Sequence, residues 1–423
     1  MKSFFPLFLA CTAFCSCSSS FDEEGIICIQ IKDASGRSET FNTKERIEKF
    51  AQIDFFHPQP YTQVTRIFNK EQNDHSRSII TSYHPNGNIK QYLEGIDSVA
   101  KGSYQEWHAN GAKKIDATVV GGPFNLHYSA QKDWLFDGTS KVWDEENHLL
   151  AEIQYDLGML EGVSTYYYKQ GEIKTKIPYK KNQIDGLFLS YYPSGALKTQ
   201  ESYKKGIKQG TSIGYWENEQ PTFLEEYEEG LLQTAVYHDI NGDVLGEIAN
   251  GCGEKILWKA DFLEKKISYL AGKPEGKVIL YASSGDVSGQ YEQKDGQKQG
   301  KETLFYPRKT LEEKLQPKLQ VEWDRDMIHG LVKTWYPCGT LESQKEYAQN
   351  KKNGMCCAWY KNGSLMLLEK YENDLLSSGS YYQKDDPSPT SKVSKGSGIA
   401  VIYDGKSGQF LRKIAYENGK PQE

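Results

Sequence analysis

Glycine returns at positions 138, 162, 186 and 210, again at 276 and 300, and once more at 330 and 354, each series stepping by 24 residues. An aromatic ring stands five residues after each of these starts. With the weaker copies counted, the ring positions number twelve: Tyr83, Trp107, Trp143, Tyr167, Tyr191, Tyr215, Tyr237, Tyr281, Phe305, Trp335, Trp359 and Tyr403. A period of this size specifies an array of one small structural unit. Length by itself allows two or three globular domains, and the repeat overrides that reading.

Each unit divides into two short runs about a turn. The first run, such as Thr-Tyr-Tyr-Tyr at 165–168 or Phe-Leu-Ser-Tyr-Tyr at 188–192, is rich in β-branched and aromatic residues that suit a half-buried strand. Lys-Gln-Gly171, Pro-Ser-Gly195, Pro-Asn-Gly87 or Lys-Asn-Gly363 follows, and these supply turn dihedrals. The second run alternates, as in Glu-Ile-Lys-Thr-Lys-Ile-Pro-Tyr, and ends on Tyr155, Tyr179, Tyr203, Tyr227, Tyr347 or Tyr371. Glycine and turn dipeptides interrupt each unit about every ten positions, which makes helix a poor alternative there. The expected fold is therefore all-β: an elongated antiparallel meander of about twelve β-hairpins, each 24 residues long. At ~4.8 Å per strand it would extend roughly 110 Å before twist. The two ladders of rings are its expected core.

Taken from its start, the chain divides into five segments. Residues 1–16 read as a signal peptide: Lys2, an apolar run from Phe4 to Phe14, then Cys15-Ser-Cys17. Residues 17–77 form a tether and a small α+β cap whose short helix covers Thr43–Gln52, with Ile47, Phe50 and Ala51 as its apolar face and Asn42 or Thr43 as its N-cap. Such a head covers the end of an array. The array occupies 78–376, with an insertion near Asp116–Phe136, a weak stretch at 231–276 and six extra residues around Glu313–Pro317. Residues 377–396 read as a polar, flexible linker, and 397–423 as a degenerate terminal hairpin.

The recurring aromatic-aromatic-x-[Asn/Ser]-Gly-x-Leu…Tyr-x-x-Gly-x-x-x-Gly, clearest at Tyr191-Tyr-Pro-Ser-Gly-Ala-Leu and Trp359-Tyr-Lys-Asn-Gly-Ser-Leu, resembles the bacterial MORN-repeat variant family, a group also labelled antitoxin-like. The likeness covers about 330 of the 423 residues. It implies protein association or membrane attachment and carries no shared catalytic residues. The start resembles a bacterial lipoprotein signal, which departs from the simple family pattern and from a cytosolic antitoxin role. Cys17 is the expected lipid-attachment residue and Cys11 the alternative. With Ser18 following the anchor, the resemblance implies an outer-membrane destination; an exported, soluble protein is the other reading.

Other constellations point away from chemistry. Cys28, Cys252, Cys338, Cys356 and Cys357 show no zinc-type spacing; export would permit one or two disulfides among them. His84, His108 and His238 share one repeat position, but neighbouring hairpins hold such positions ~9–10 Å apart, too far for one metal ion, so they read as exposed polar residues. No phosphate loop, nucleophile elbow or His-Glu-x-x-His occurs, so neither catalytic residues nor cofactors are expected. The net charge of −6, with lysines interspersed among glutamates, offers no stripe for nucleic acid.

The sequence thus describes a non-enzymatic, lipid-anchored repeat protein that presents an extended β surface to a protein partner at the cell envelope. Adjacent strand residues face opposite sides. Each ring doublet should then bury one member and expose the other, making Tyr168, Tyr192, Trp216, Tyr336 and Tyr360 the expected contact residues. The alternatives are an envelope glycan-binding protein using those rings, and a structural spacer.

Overall fold

The computed structural model describes residues 25–51, 56–60, 62–70, 75–308, 310 and 312–422. The signal segment and both candidate lipidation sites, Cys17 and Cys11, lie outside the described residues. The chain is nearly all antiparallel β-sheet with two short helices among those residues, built of hairpins joined as a meander. No described helix is long and apolar enough to cross a membrane. Two compact units, 1–183 and 184–423, divide it.

A unit's geometry follows from its turn chemistry. Strand Gly186–Tyr191 pairs with Leu197–Lys204, from Gly186 opposite Tyr203 to Tyr191 opposite Leu197, with a bulge at Ser190/Tyr191. The connecting turn closes through Gly195 N–H donating to Tyr192 O at 2.9 Å, and Gly195 takes φ +87°, a value glycine adopts without strain. The polar connection to the next hairpin is equally tight. Lys205 and Gly206 both have positive φ, the arrangement of a two-residue hairpin turn, and strand Ile207–Tyr215 begins at once. Strand Leu197–Lys204 therefore pairs with both of its sequence neighbours.

In the first unit the cap strands Ser38–Phe41, Ile26–Asp33 and Thr62–Lys70 lie side by side, and Ser76–Tyr83 continues the sheet. The helix runs Lys44–Ala51, with Arg46 and Ile47 N–H donating to Thr43 O. Its Phe50 stacks on Phe41 at 4.4 Å, over buried Ile29 and Ile67.

The three largest buried clusters form where the 24-residue phase fails. Around 116–136 the insertion carries a short helix, Tyr128–Gln131, and delivers Trp134 against Tyr104 at 4.8 Å. Leu93, Ala100, Ala117 and Val119 are buried with them. In the second unit, strands Val244–Ala249 and Cys252–Lys259 pair only at Ile248–Gly253 and Ala249–Cys252, then part. Leu232, Ala235, Tyr237, Ile248 and Ile256 are buried together there. Three turns meet at this corner: Gly251 N–H donates to Gln233 O, Gly272 N–H to Gly251 O and Leu232 N–H to Gly272 O, at 2.8–3.1 Å. The same device recurs at Gly396, Gly419 and Leu376, where Pro389–Ser394 and Ser397–Tyr403 likewise share only two pairs. There Leu376, Tyr381, Val393 and Ala400 are buried with Cys356. The stretch read as a flexible linker, 377–396, instead contributes most of strand Leu375–Tyr382 and all of Pro389–Ser394 to this second corner. Its polar residues alternate with buried ones, which is strand patterning.

Candidate interaction surface

Strand register assigns the rings to faces. In hairpin 351–372, Cys356 lies opposite Glu369 and Ala358 opposite Leu367, while Cys357 lies opposite Leu368 and Trp359 opposite Leu365. Paired residues share a face, so Tyr371 belongs with Cys356 and Ala358, and Trp359 belongs to the other side. Tyr360, next in the chain, falls on the Tyr371 side.

This corrects the expected division of the doublets. Of the five rings expected to be exposed, Trp216, Tyr336 and Tyr360 are buried, at 5%, 3% and 0% exposure, and Tyr168 and Tyr192 are half-buried. Of the expected core rings, Tyr83, Tyr237 and Tyr403 are buried, whereas Trp107, Trp143, Tyr167, Tyr191, Tyr215, Tyr281, Phe305, Trp335 and Trp359 are only half-buried. For the tyrosines the reason is a long-range hydrogen bond, whereas Trp216 packs against Trp258 and its Nε1 has no hydrogen-bond partner among the described residues. Tyr192 OH donates to Tyr215 O at 2.9 Å, Tyr306 OH to Trp335 O at 2.7 Å, Tyr336 OH to Trp359 O at 2.9 Å and Tyr360 OH to Tyr382 O at 2.7 Å. Each of these four tyrosines ties its turn to the next hairpin. The histidines do the same in the first unit: His84 Nε2 meets Trp107 O at 2.9 Å and His108 Nε2 meets Trp143 O at 3.1 Å. Neither is the freely exposed polar residue expected, and His238 Nδ1 is buried. A signal existed: side chains of ring length with a polar tip recur at this one position.

On the same face as Tyr371, carboxylates and lysines are paired among buried phenols. Glu225, 2% exposed, accepts from Tyr227 OH at 2.9 Å and Tyr237 OH at 2.7 Å and ion-pairs with Lys255. Burial pushes its carboxyl up, but Lys255, Tyr237 and Lys208 together hold it below the usual carboxylate range. Burial and then Glu225 raise the Tyr227 and Tyr237 phenols well above the ordinary tyrosine value and push Tyr269 up to about 12. Lys208 bonds Glu201 at 2.8 Å and sits over the Tyr203 and Tyr227 rings. Tyr381 OH donating to Glu369 at 2.7 Å repeats the pattern. These groups face one another and tie strands together.

The opposite face is where apolar surface is left open. Val163 stands four residues before Tyr167 in the first unit; in the second, Leu187 precedes Tyr191 and Met355 precedes Trp359 by the same interval, and all three aliphatic side chains are exposed. Leu224, exposed opposite Ile213, adds apolar surface beside Tyr215 in the second unit.

Cys28, Cys252, Cys338, Cys356 and Cys357 are free thiols, and no cluster of metal-ligating residues occurs among the described residues. In the second unit a groove of about 770 Å3 is walled by Tyr192, Tyr215, Trp216, Phe223 and Trp258, with Trp216 and Trp258 edge to face at 4.9 Å.

A family model described as the MORN repeat variant matches residues 160–181 and 184–205. No curated protein matches the chain. Among solved structures, the chain is similar to the Photorhabdus luminescens Tc holotoxin pore, at 10% identity over 93% of this chain with a TM-score of 0.14. It is also similar to TcdB2-TccC3 without its hypervariable C-terminal region, at 11% identity over 93% with a TM-score of 0.14. In both cases it spans 24% of the other chain. A porin-like protein from Bacteroides uniformis ATCC 8492 aligns at 10% identity over 62% of this chain and 96% of its own, with a TM-score of 0.15.

Proposed function

We propose that this is a non-enzymatic repeat protein of the bacterial cell envelope, anchored by lipid on Cys17 or Cys11, whose open sheet face receives a protein partner. The observation that carries this reading is the repeated exposed aliphatic residue four positions before a half-buried ring: Val163 in the first unit, Leu187 and Met355 in the second. Apolar residues set among charged ones are the composition of a contact surface. The paired carboxylates and lysines of the other face are structural in this reading. The match of two units to the MORN repeat variant is in keeping with a repeat-based interaction role.

Replacing Leu187 and Met355 together by glutamate tests the face. Both side chains are exposed, so circular dichroism should stay the same while cross-linking to the envelope partner falls; unchanged cross-linking would sink the reading. The anchor is tested separately, by labelling with a palmitate analogue in Cys17→Ser and Cys11→Ser variants. One of the two should lose the label. The outer membrane is the destination this reading expects.

A second reading is favoured by the aromatic groove of the second unit, whose ring walls and rim residues Lys198, Glu217, Asn218 and Asp261 suit a sugar. Sedimentation with peptidoglycan, wild type against Trp258→Ala, separates it from the first.

A further inference from the structure

The first unit holds, at the centre of a sheet face, a guanidinium with no partner among the described residues. Register sets Thr40, Gln30, Arg66, Ile80 and Leu93 in one row across five strands, with Arg66 on the middle strand. The far side of this sheet is closed by Ile29, Phe41 and Ile67 beneath the helix. The near side is bounded by the insertion, whose Leu126 packs on the Leu93–Tyr104 cluster and whose Asn125 and His127 form a wall. Between them lies a cavity of about 650 Å3.

Its electrostatics are unbalanced. The Nε of Arg66 is buried and has no hydrogen-bond partner among the described residues, nor does the guanidinium make an ion pair with any of them. Lys32 and Lys90 also line the cavity. Glu39, the one carboxylate on its lining among the described residues, already pairs with Arg46 at 3.3 Å. His127 Nδ1 accepts from the backbone N–H of Ser129. Arg66 is half-buried with its Nε enclosed, and enclosing part of a charged group without a counter-charge is costly. The cavity is thus a cationic basin in a chain of net charge −6, with amide and hydroxyl side chains around the charge.

The geometry points to a binding site for a small hydroxylated anion. Its carboxylate or phosphate sits on the Arg66 fork, which fits either group bidentately, and its hydroxyls meet Gln30, Thr40 and Asn125. The site is independent of the partner face argued above.

Calorimetric titration of the full chain at low salt with glucuronate and with glucose 6-phosphate distinguishes a carboxylate ligand from a phosphate one, and glucose is the neutral control. Saturable binding of either anion, with none of glucose, is expected. Arg66→Met should weaken it about tenfold or more without lowering the ligand-free melting temperature, because it removes an uncompensated charge. Lys90→Gln, an exposed change, should weaken it roughly two- to threefold and flatten the salt dependence. No saturable binding of either anion, or equal affinity in Arg66→Met, would overturn the site. So would a lower ligand-free melting temperature of that variant, which marks a purely structural arginine.

Discussion

Gly251 holds φ at +74°, and a Cβ added there would stand 2.4 Å from Gly272 N; Gly396 holds +76°, with its Cβ 2.6 Å from Gly419 N. Both conflicts are with backbone, so no side chain can yield. Gly251→Ala and Gly396→Ala should each cost roughly 1–3 kcal/mol or more, read as a lower urea midpoint. Gly171→Asn, at a turn with open space around it, should cost only a few tenths, since asparagine tolerates the left-handed region. Equal losses at the three sites would refute the corner account. Glu225 gives a pH-dependent prediction. Its carboxyl is held below the ordinary range in the fold, so its contribution is complete above the unfolded carboxylate value and is lost as pH falls through the folded one. Glu225→Gln leaves Lys255 buried without its charge partner, which should cost about 3–5 kcal/mol near neutrality. The difference from wild type should shrink as the pH falls below the ordinary carboxylate range. A difference that does not change with pH would exclude this carboxylate as a source of acid sensitivity.

For the hairpin, the unit of design is the face as much as the period. Strand alternation means that a shift of one residue exchanges the Cys356 side for the Trp359 side. Excising residues 331–354, a full 24, joins Gly330 to Met355 and preserves every face. That variant should fold with an unchanged β spectrum and a modestly lower midpoint. Removing 331–353 instead places Gly354 after Gly330 and inverts the faces downstream, so it should yield insoluble or molten protein. Similar behaviour of the two deletions would show that the alternating burial does not hold the array together.

Across the whole chain, stability should concentrate where the phase breaks. Repeats that touch only their sequence neighbours gain stability pairwise, whereas the clusters at Leu93–Trp134, Leu232–Ile256 and Leu376–Ala400 bring together side chains from several hairpins. Amide hydrogen exchange should therefore be slowest at Ala100, Tyr104, Leu232, Tyr237, Leu376 and Tyr381. It should be faster in the in-phase strands Gly186–Leu189 and Gln297–Thr303, whose opening is local. Uniform protection along the chain would contradict this distribution.

The hairpins were legible in the residues because turn chemistry is local. Asn-Gly, Ser-Gly and Lys-Gly fix the backbone wherever they stand, and a 24-residue spacing repeats that instruction. Burial was less legible. Whether Tyr167 or Tyr168, Trp359 or Tyr360 goes inward depends on the bulge at Ala358/Trp359 and on a carbonyl more than twenty residues away that accepts the hydroxyl. The same holds for 116–136, 231–276 and 377–396, which look like decay of a pattern and instead contribute to the buried clusters. Local preference sets the dihedrals of a turn, but a closed core requires strands to part and meet again, and that is decided only by what the distant hairpins bring against them.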